Sequence, residues 1–137
     1  VMILIDTSAW VEFLRDTGSS TCERVQLALS GEFATTDPIR MELLAGARDE
    51  QHLNQLRRLL ARGINLRTGP VDYDQAAAMY RQCRVRGETV RKLMDCLIAA
   101  IAIRIDAPVL HRDVDFDVLQ RHTALRTVAT SSSDLRP

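Results

Sequence analysis

The chain is poor in the residues that build disulfide frameworks and zinc sites. Its three cysteines, Cys22, Cys83 and Cys96, are odd in number, far apart and without a C-x-x-C motif. The three histidines have no ligand spacing with them. This pattern argues against both kinds of site and predicts the reduced thiols of a cytosolic protein.

Long apolar runs, targeting signals and phosphate-binding loops are missing as well. The longest apolar run, Cys96–Ile103, is far shorter than the ~20 residues that span a bilayer. The first apolar run has no basic segment before it, which argues against a signal peptide. The absence of GxxxxGK[ST] and GxGxxG argues against nucleotide hydrolysis and dinucleotide binding. We therefore expect a cytoplasmic protein that makes no membrane contact.

Neither sign of charge is in excess. The chain has 18 basic and 18 acidic residues, so it lacks the overall basic charge of many nucleic-acid-binding proteins. Lysine is nearly absent, because every basic residue except Lys92 is arginine. Arginine suits bidentate phosphate binding, although compositional drift explains the bias equally well.

The remaining composition is that of an ordinary globular protein, with 46% hydrophobic and 26% charged residues in 137. We expect one domain, residues 1–129, and a polar tail, residues 130–137. Helical patterns alternate with short apolar runs, which predicts a three-layer α/β/α sandwich with a mostly parallel, five-stranded sheet. The predicted strands are Met2–Ile5, Phe33–Thr35, Ile64–Leu66, Pro108–His111 and Leu125–Ala129. The longer predicted helices are Asp49–Arg62, Asp72–Arg86 and Arg91–Ile105, and a further helix has Asp37 as its cap and Pro38 at its first position.

The first ten residues, VMILIDTSAW, combine a buried-strand pattern with a polar end at Asp6. In an open α/β sheet, ligands bind in the crevice outside the carboxyl ends of the strands. A carboxylate there either holds a metal or a phosphate-bearing ligand, or caps the next helix.

Asp95 lies in the most apolar predicted helix, with Ile98, Ala99 and Ala102 on its face. A buried carboxylate costs several kcal/mol unless it is paired, protonated or metal-bound. The structural alternative is an ion pair with Arg91 near the helix N-terminus, where the helix dipole also favours an anion.

Further carboxylates follow the fourth predicted strand or lie within a helix. Asp113 is the first carboxylate beyond that strand, and we favour a functional role for it. Helix capping explains Asp115 as well as a functional role does, and explains Asp117 better. Glu42, taken alone, is more typical of a solvated helix residue.

Taken together, two strand ends (Asp6, Asp113) and two helices (Glu42, Asp95) can converge on one crevice. Several carboxylates in a low-dielectric cleft repel one another, and a cation removes that repulsion. Oxygen ligands without histidine or cysteine select Mg²⁺ or Mn²⁺ rather than Zn²⁺. Because Mg²⁺ pairs with substrate phosphates, the set favours phosphoryl chemistry.

Four segments, in this order, resemble those of a PIN-domain ribonuclease, and more narrowly of a VapC-type toxin of a VapBC toxin–antitoxin pair. They are IDTSAW at 5–10, MELLAG at 41–46, DCLIAA at 95–100 and HRDVDF at 111–116. The resemblance extends from Met2 to about Ala129 and implies an endoribonuclease that depends on Mg²⁺ or Mn²⁺.

Carried over residue by residue, the resemblance makes Asp6 and Asp95 the principal metal ligands and Asp113 the residue that completes the acidic site. Glu42 would bind the metal or orient its water, and Asp115 would be an auxiliary carboxylate.

The resemblance also implies roles outside the carboxylates. Thr7 or Ser8 would be a supporting hydroxyl. His111 replaces the threonine of many relatives, which leaves the details around the carboxylates open.

The implied reaction is attack of hydroxide on an RNA phosphodiester, which leaves 5′-phosphate and 3′-hydroxyl ends. The implied partners are a VapB-type antitoxin and RNA, in a homodimer and a toxin–antitoxin hetero-oligomer. The amphipathic helices in Ala9–Leu14 and Asp37–Arg62 are candidate antitoxin-docking surfaces, although core packing explains their apolar faces as well.

Without the five candidate carboxylates, 18 basic residues face 13 acidic ones, which favours contact with an RNA backbone. The arginines near the four motifs are candidates for phosphate contact, although any one of them is equally a solvated side chain: Arg15, Arg40, Arg91 and Arg112.

Two other functions stay open at this point. One is a catalytically inactive PIN-like module that binds RNA or protein. The other is a phosphatase or phospho-acceptor domain with Asp6 as nucleophile, which usually needs a lysine opposite the aspartate, and Lys92 is the one lysine.

Overall fold

Four parallel strands form the sheet in the computed structural model, which describes residues 2–128. The strands are β1 (Ile3–Ile5), β2 (Phe33–Thr36), β3 (Ile64–Leu66) and β4 (Val109–Leu110), and their order in the sheet is β3-β2-β1-β4. The register pairs Leu4 of the central strand with Ala34 on one side and Val109 on the other. The predicted parallel sheet is confirmed.

Seven helices occupy the connections within the described residues. They are α1 (Thr7–Leu14), α2 (Ser20–Leu29), α3 (Asp37–Ala45), α4 (Glu50–Ala61), α5 (Pro70–Val85), α6 (Leu93–Ile105) and α7 (Val114–His122). None of them combines the length and the apolar character needed to cross a membrane.

The strand order determines where the site lies. The chain proceeds from β1 outward to β2 and β3, and then returns past β1 to β4 on its other side. Because parallel crossovers are right-handed, α1–α4 cover one face of the sheet and α5 and α6 cover the opposite face. The direction of winding reverses between β1 and β4, and the crevice at their carboxyl ends is the usual ligand site of such folds.

Helix α6 is the buried centre of the second helical layer, as its sequence predicts. Every residue from Asp95 to Ala102 is buried, and the helix packs chiefly against α5. The three cysteines are free and buried, in agreement with the expectation of reduced thiols. This helix therefore brings Asp95 to the sheet within an almost wholly apolar surrounding.

The fifth predicted strand, Leu125–Ala129, differs from expectation. One parallel bridge joins Val109 to Thr127, supported by backbone bonds from Val109 to Arg126 and from Val128 to Val109. Because β4 has only two residues, few of its backbone groups can pair with the segment around Thr127. Ala129 and the tail 130–137 lie outside the described residues.

Two helix boundaries also differ because other groups cap them. Thr36 rather than Asp37 caps α3, since its Oγ1 accepts the Ile39 N–H at 3.2 Å. Helix α5 begins at Pro70, two residues before the predicted start at Asp72, whose Oδ2 accepts the Gly69 N–H at 2.8 Å.

The buried Asp72 also forms an ion pair with the exposed Arg104, which joins α5 to α6. Arg104 donates two hydrogen bonds to its carboxylate, at 2.8 and 2.9 Å, and a third to the Arg67 carbonyl. The Arg104 hydrogen bonds hold the pKa of Asp72 below its ordinary value. This pair fixes the two helices of the second layer against each other.

Gly63 must remain glycine because the aromatic ring of Phe33 lies against it. A Cβ at residue 63 would lie 2.7 and 2.8 Å from two ring carbons and closer still to a third. We expect Gly63→Ala to lower the free energy of unfolding by about 1–3 kcal/mol, because the buried ring must shift. Urea denaturation measures the change. Gly31→Ala is the matched control, since its nearest neighbour is a carbonyl oxygen at 3.9 Å, and equal losses in both variants would contradict the prediction.

Candidate active site

Asp6 lies at the carboxyl end of β1 and caps α1. Its Oδ2 accepts the Ser8 N–H at 2.9 Å and the Ser8 hydroxyl at 2.6 Å. The carboxylate is buried. Burial raises the pKa of Asp6, although the two Ser8 hydrogen bonds oppose the shift. Asp6 therefore caps α1 through Oδ2. Its other oxygen, Oδ1, has no hydrogen bond in the described contacts and is the candidate metal ligand.

Asp113 follows the neighbouring strand β4 and caps α7 through a 2.9 Å bond from the Asp115 N–H to Oδ1. Ser8 bonds to both the loop after β1 and the loop after β4, because its Oγ donates to Asp6 and also accepts the Arg112 N–H at 2.9 Å. The two strand-end carboxylates are thus held at one edge of the sheet, as their sequence positions predict.

Asp95 reaches the same edge from the first turn of α6. It is 5% exposed, and its Oδ2 is buried without a hydrogen-bond partner among the described residues. Burial, followed by the charge of Asp6, raises the pKa of Asp95 to about 8. The alternative of an ion pair between Asp95 and Arg91 is not observed, since Arg91 bonds to Asp113 and Asp115 instead.

Asp115 is almost inaccessible to solvent and bonds to the segment that precedes α6. Its Oδ1 accepts the Arg91 N–H and Nε at 3.2 Å each, and its Oδ2 accepts the Lys92 N–H at 3.2 Å. These bonds hold Arg91 and Lys92 outside the helix, which explains why α6 begins at Leu93 and not at the predicted Arg91. Asp115 therefore fixes the two residues that precede α6.

The oxygens of Asp95, Asp113 and Asp115 form one cluster, with one atom from each within 4.8 Å of the others. Asp6 lies outside this closest group, but its charge acts on Asp95. Glu42, on α3, is more exposed; it accepts a 2.8 Å bond from Thr7 Oγ1, and its charge acts on Asp6. The charges of Asp6 and Glu42 thus connect to the cluster of three aspartates, with Glu42 the most exposed of the five.

Sequence reasoning missed Lys92 as a neighbour of Asp95 and Asp113. Its Nζ is 2.6 Å from Asp113 Oδ2 and 3.7 Å from Asp95 Oδ2. Its solitary occurrence was visible in the sequence, but its position depends on where α6 begins. The Lys92 and Arg91 cations oppose the effect of burial and hold the pKa of Asp113 below its ordinary value.

The predicted phosphate-contacting arginines lie in different places. Arg91 is engaged by two aspartates, and Arg112 lies 3.8 Å from Glu12. Arg15 lines a groove of about 580 Å³ that also contains Thr7 and Glu42. Arg40 is half-buried on α3.

His111 supports the loop that carries Asp113. Its Nδ1 accepts the Asp113 N–H at 3.1 Å, and its ring packs on Phe116 with the ring centroids 5.1 Å apart. Burial lowers the pKa of His111, so the ring is neutral at physiological pH and carries its proton on Nε2. The residue thus helps to orient Asp113 without adding a charge.

The donor set fits a hard divalent cation. Every candidate ligand is a carboxylate oxygen, the arrangement that Mg²⁺ and Mn²⁺ prefer. The buried Asp95 Oδ2 accepts no hydrogen bond among the described residues, and Lys92 Nζ lies 3.7 Å from it, so a closer cation or a proton is needed to stabilise its charge. The arrangement can therefore bind such an ion at the carboxyl edge of the sheet.

A family model described as the PIN domain matches residues 3–121, which include all four carboxylate motifs. The chain belongs to the PIN-domain family. Among the relatives of this PIN domain are ribonuclease VapC11 of Mycobacterium tuberculosis and a VapC ribonuclease of Mycobacterium bovis. Each is 48% identical over 132 residues, which cover 93% of this chain and 98% of the relative. The resemblance inferred from the four motifs is confirmed.

Solved structures support the fold of this PIN domain. VapBC2 from Rickettsia felis, determined with a DNA fragment from its promoter, includes a chain that aligns with a TM-score of 0.76 and 18% identity. The alignment covers 96% of this chain and all of that one. A DNA-bound VapBC from Salmonella typhimurium aligns with a TM-score of 0.74 and 19% identity, covering 93% and 97% of the two chains. The predicted α/β class with a parallel sheet between helices is that of these proteins.

Proposed function

We propose that this PIN domain is an endoribonuclease that depends on Mg²⁺ or Mn²⁺ and is the toxin of a VapBC-type toxin–antitoxin pair. The buried Asp95 Oδ2 beside Asp113 carries the proposal, because it accepts no hydrogen bond among the described residues and a divalent cation would stabilise its negative charge. The 48% identity to VapC ribonucleases supports RNA as the substrate.

Three carboxylates are the proposed metal ligands: Asp6, Asp95 and Asp113. Glu42 is proposed to bind the ion or orient water at its outer side, since it lies beside Thr7 at the open edge of the crevice. We assign Asp115 mainly to the support of the Arg91–Lys92 segment and, through its place in the cluster, to an auxiliary electrostatic role.

The bound ion would supply a Lewis acid that activates water and stabilises the leaving oxygen. The protein contributes alignment: Ser8 fixes the Asp6 carboxylate, and Thr7 fixes Glu42 through its 2.8 Å bond. Burial around Asp95 keeps the dielectric low and strengthens every charge interaction with the substrate phosphate. Arg15 and Arg40 are the proposed contacts to the RNA backbone, because neither side chain has an ion pair among the described contacts.

The proposed partner is a VapB-type antitoxin, and the proposed assemblies are a toxin homodimer and a toxin–antitoxin hetero-oligomer. The groove between α1, α3 and α4 has an apolar floor that includes Leu43 and Leu56, with Arg15 and Arg48 in its wall. It fits an amphipathic segment with acidic residues, and it extends to Thr7 and Glu42, so that its occupant would obstruct the site. We further propose that residues 1–129 form one nuclease domain and that the protein acts in the cytoplasm, where its substrate is.

Sequencing of RNA ends in cells that express the chain tests the function. We expect wild type to arrest growth and to generate new 5′-phosphate and 3′-hydroxyl ends, and Asp6→Asn to do neither. Asparagine caps a helix about as well as aspartate, so this variant keeps the local fold while it loses the charge.

Arg126→Gln is the control, because Arg126 pairs with the exposed Asp106 at the other end of α6. Cleavage by Asp6→Asn, or ends with 2′,3′-cyclic phosphate, would contradict the proposed reaction. RNA binding without any cleavage would favour the inactive PIN-like module, and a covalent aspartyl-phosphate would favour the phospho-acceptor alternative.

A further inference from the structure

Lys92 brings the positive charge of a side chain into the cluster that is proposed to hold the divalent ion. Its ammonium is 2.6 Å from Asp113 Oδ2 and 3.7 Å from the otherwise unpartnered Asp95 Oδ2. The charge of Asp6 acts on it as well. One cation thus faces three of the candidate ligands.

The backbone of Lys92 is fixed while its side chain is accessible. The Lys92 N–H donates to Asp115 Oδ2 at 3.2 Å, and the side chain is 55% exposed. A lysine side chain has a flexible four-carbon stem, so the ammonium can leave the cluster without any movement of the backbone.

An ion bound to Asp95 and Asp113 would compete with this ammonium for the same oxygen. Mg²⁺ binds carboxylate oxygens at about 2.1 Å, and Asp113 Oδ2 already has Lys92 Nζ at 2.6 Å. The other oxygen, Oδ1, accepts bonds from the Asp115 N–H and from Arg91 Nη2. Two cations on one carboxylate repel strongly at such distances.

We propose that Lys92 is a tethered counter-ion, which compensates the carboxylates in the metal-free protein and leaves Asp113 when the divalent ion binds. The inference rests on the proposed metal site. Lys92 is accordingly a positioning residue that sets the metal affinity: its departure is part of every binding event, and each metal ion lost is replaced by the ammonium.

Titration with Mn²⁺, followed by the electron paramagnetic resonance signal of the free ion, tests this exchange without any RNA. We expect Lys92→Gln to bind Mn²⁺ roughly tenfold more tightly than wild type, because the competing charge is gone. Lys92→Arg keeps a competing cation and is expected to have an affinity close to that of wild type. Lys92→Met, which keeps the length of the stem, gives the same measurement if Lys92→Gln does not fold.

Melting in EDTA provides a second measurement. The neutral variants are expected to melt at a lower temperature than wild type without metal, and to gain more on addition of Mn²⁺. Arg126→Gln, which removes a cation distant from the cluster, should change neither quantity.

Equal or weaker Mn²⁺ binding by both neutral variants would overturn the inference, since a purely structural lysine predicts that result. Failure of the metal site itself is a separate outcome, because Asp95→Asn would then bind Mn²⁺ as wild type does. If neither wild type nor the neutral variants bind Mn²⁺, both proposals fall.

Discussion

Asp95→Asn is expected to reduce RNA cleavage by at least about 10³-fold and yet leave a metal-free protein that is more stable than wild type. The loss follows from the removal of a proposed ligand, since a metal ion contributes several kcal/mol to such a transition state. The gain follows from burial, because asparagine needs neither a proton nor a cation in a site that raises the pKa of Asp95 to about 8. Cleavage of a labelled RNA and urea unfolding in EDTA measure the two effects.

The stability difference should depend on pH. Burial raises the pKa of Asp95 from 3.8 to about 8, so the folded protein binds this proton more tightly than the unfolded chain. The stabilising contribution is complete below pH 3.8 and is lost as the pH rises to about 8, by about 1.4 kcal/mol for each unit of the difference in pKa. The advantage of Asp95→Asn should therefore grow between pH 4 and pH 8.

Asp72→Asn is the matched control, since Asp72 is equally buried but bonded to Arg104. Its pKa is lowered, so its contribution is present above the unfolded value and is lost as the pH falls. We expect this variant to lose about 1–2 kcal/mol at neutral pH, because it weakens charge-assisted hydrogen bonds to the exposed Arg104 guanidinium. A metal-free Asp95→Asn protein that is destabilised to the same extent would contradict our description of the site.

Removal of divalent ions is expected to abolish cleavage completely. After dialysis against EDTA, Mg²⁺ or Mn²⁺ should restore the activity and Zn²⁺ should restore it poorly, because the candidate ligands are oxygens without histidine or cysteine. The initial rate of cleavage of a labelled RNA, measured against the concentration of each ion, tests the prediction.

Asp6→Asn serves as the control in the same assay, since no ion should restore its activity. Activity that persists in EDTA, or that Zn²⁺ restores as well as Mg²⁺ does, would contradict an all-carboxylate metal site. This outcome would also remove the basis for exchange with Lys92.

The sequence predicts those parts of the site that depend on strand ends. Asp6 and Asp113 follow buried strands, and parallel strands necessarily present their carboxyl ends at one edge. Asp95 is predictable for a different reason, since one charge in an apolar helix needs a compensating group. These inferences use local sequence patterns and general rules of sheet topology, and the tertiary structure agrees with both.

The rest depends on contacts between segments that are distant in the chain. Asp115 accepts hydrogen bonds from the N–H groups of Arg91 and Lys92, so α6 begins two residues later than predicted. The Arg91 side chain consequently pairs with Asp113 and not with Asp95. No local pattern indicates that bond. The alternative of an Asp95–Arg91 pair fails because it assumes helical spacing where the chain before Leu93 is extended.

The hydroxyl of Ser8 bonds to the loop after β1 and to the loop after β4. It donates to Asp6 and accepts from the backbone of Arg112, so one uncharged side chain contributes to the separation of the neighbouring loops. An exchange at residue 8 would alter the width of the crevice and leave every carboxylate in the sequence. Protein engineers who want this scaffold to prefer a larger ion therefore have a first position to randomise.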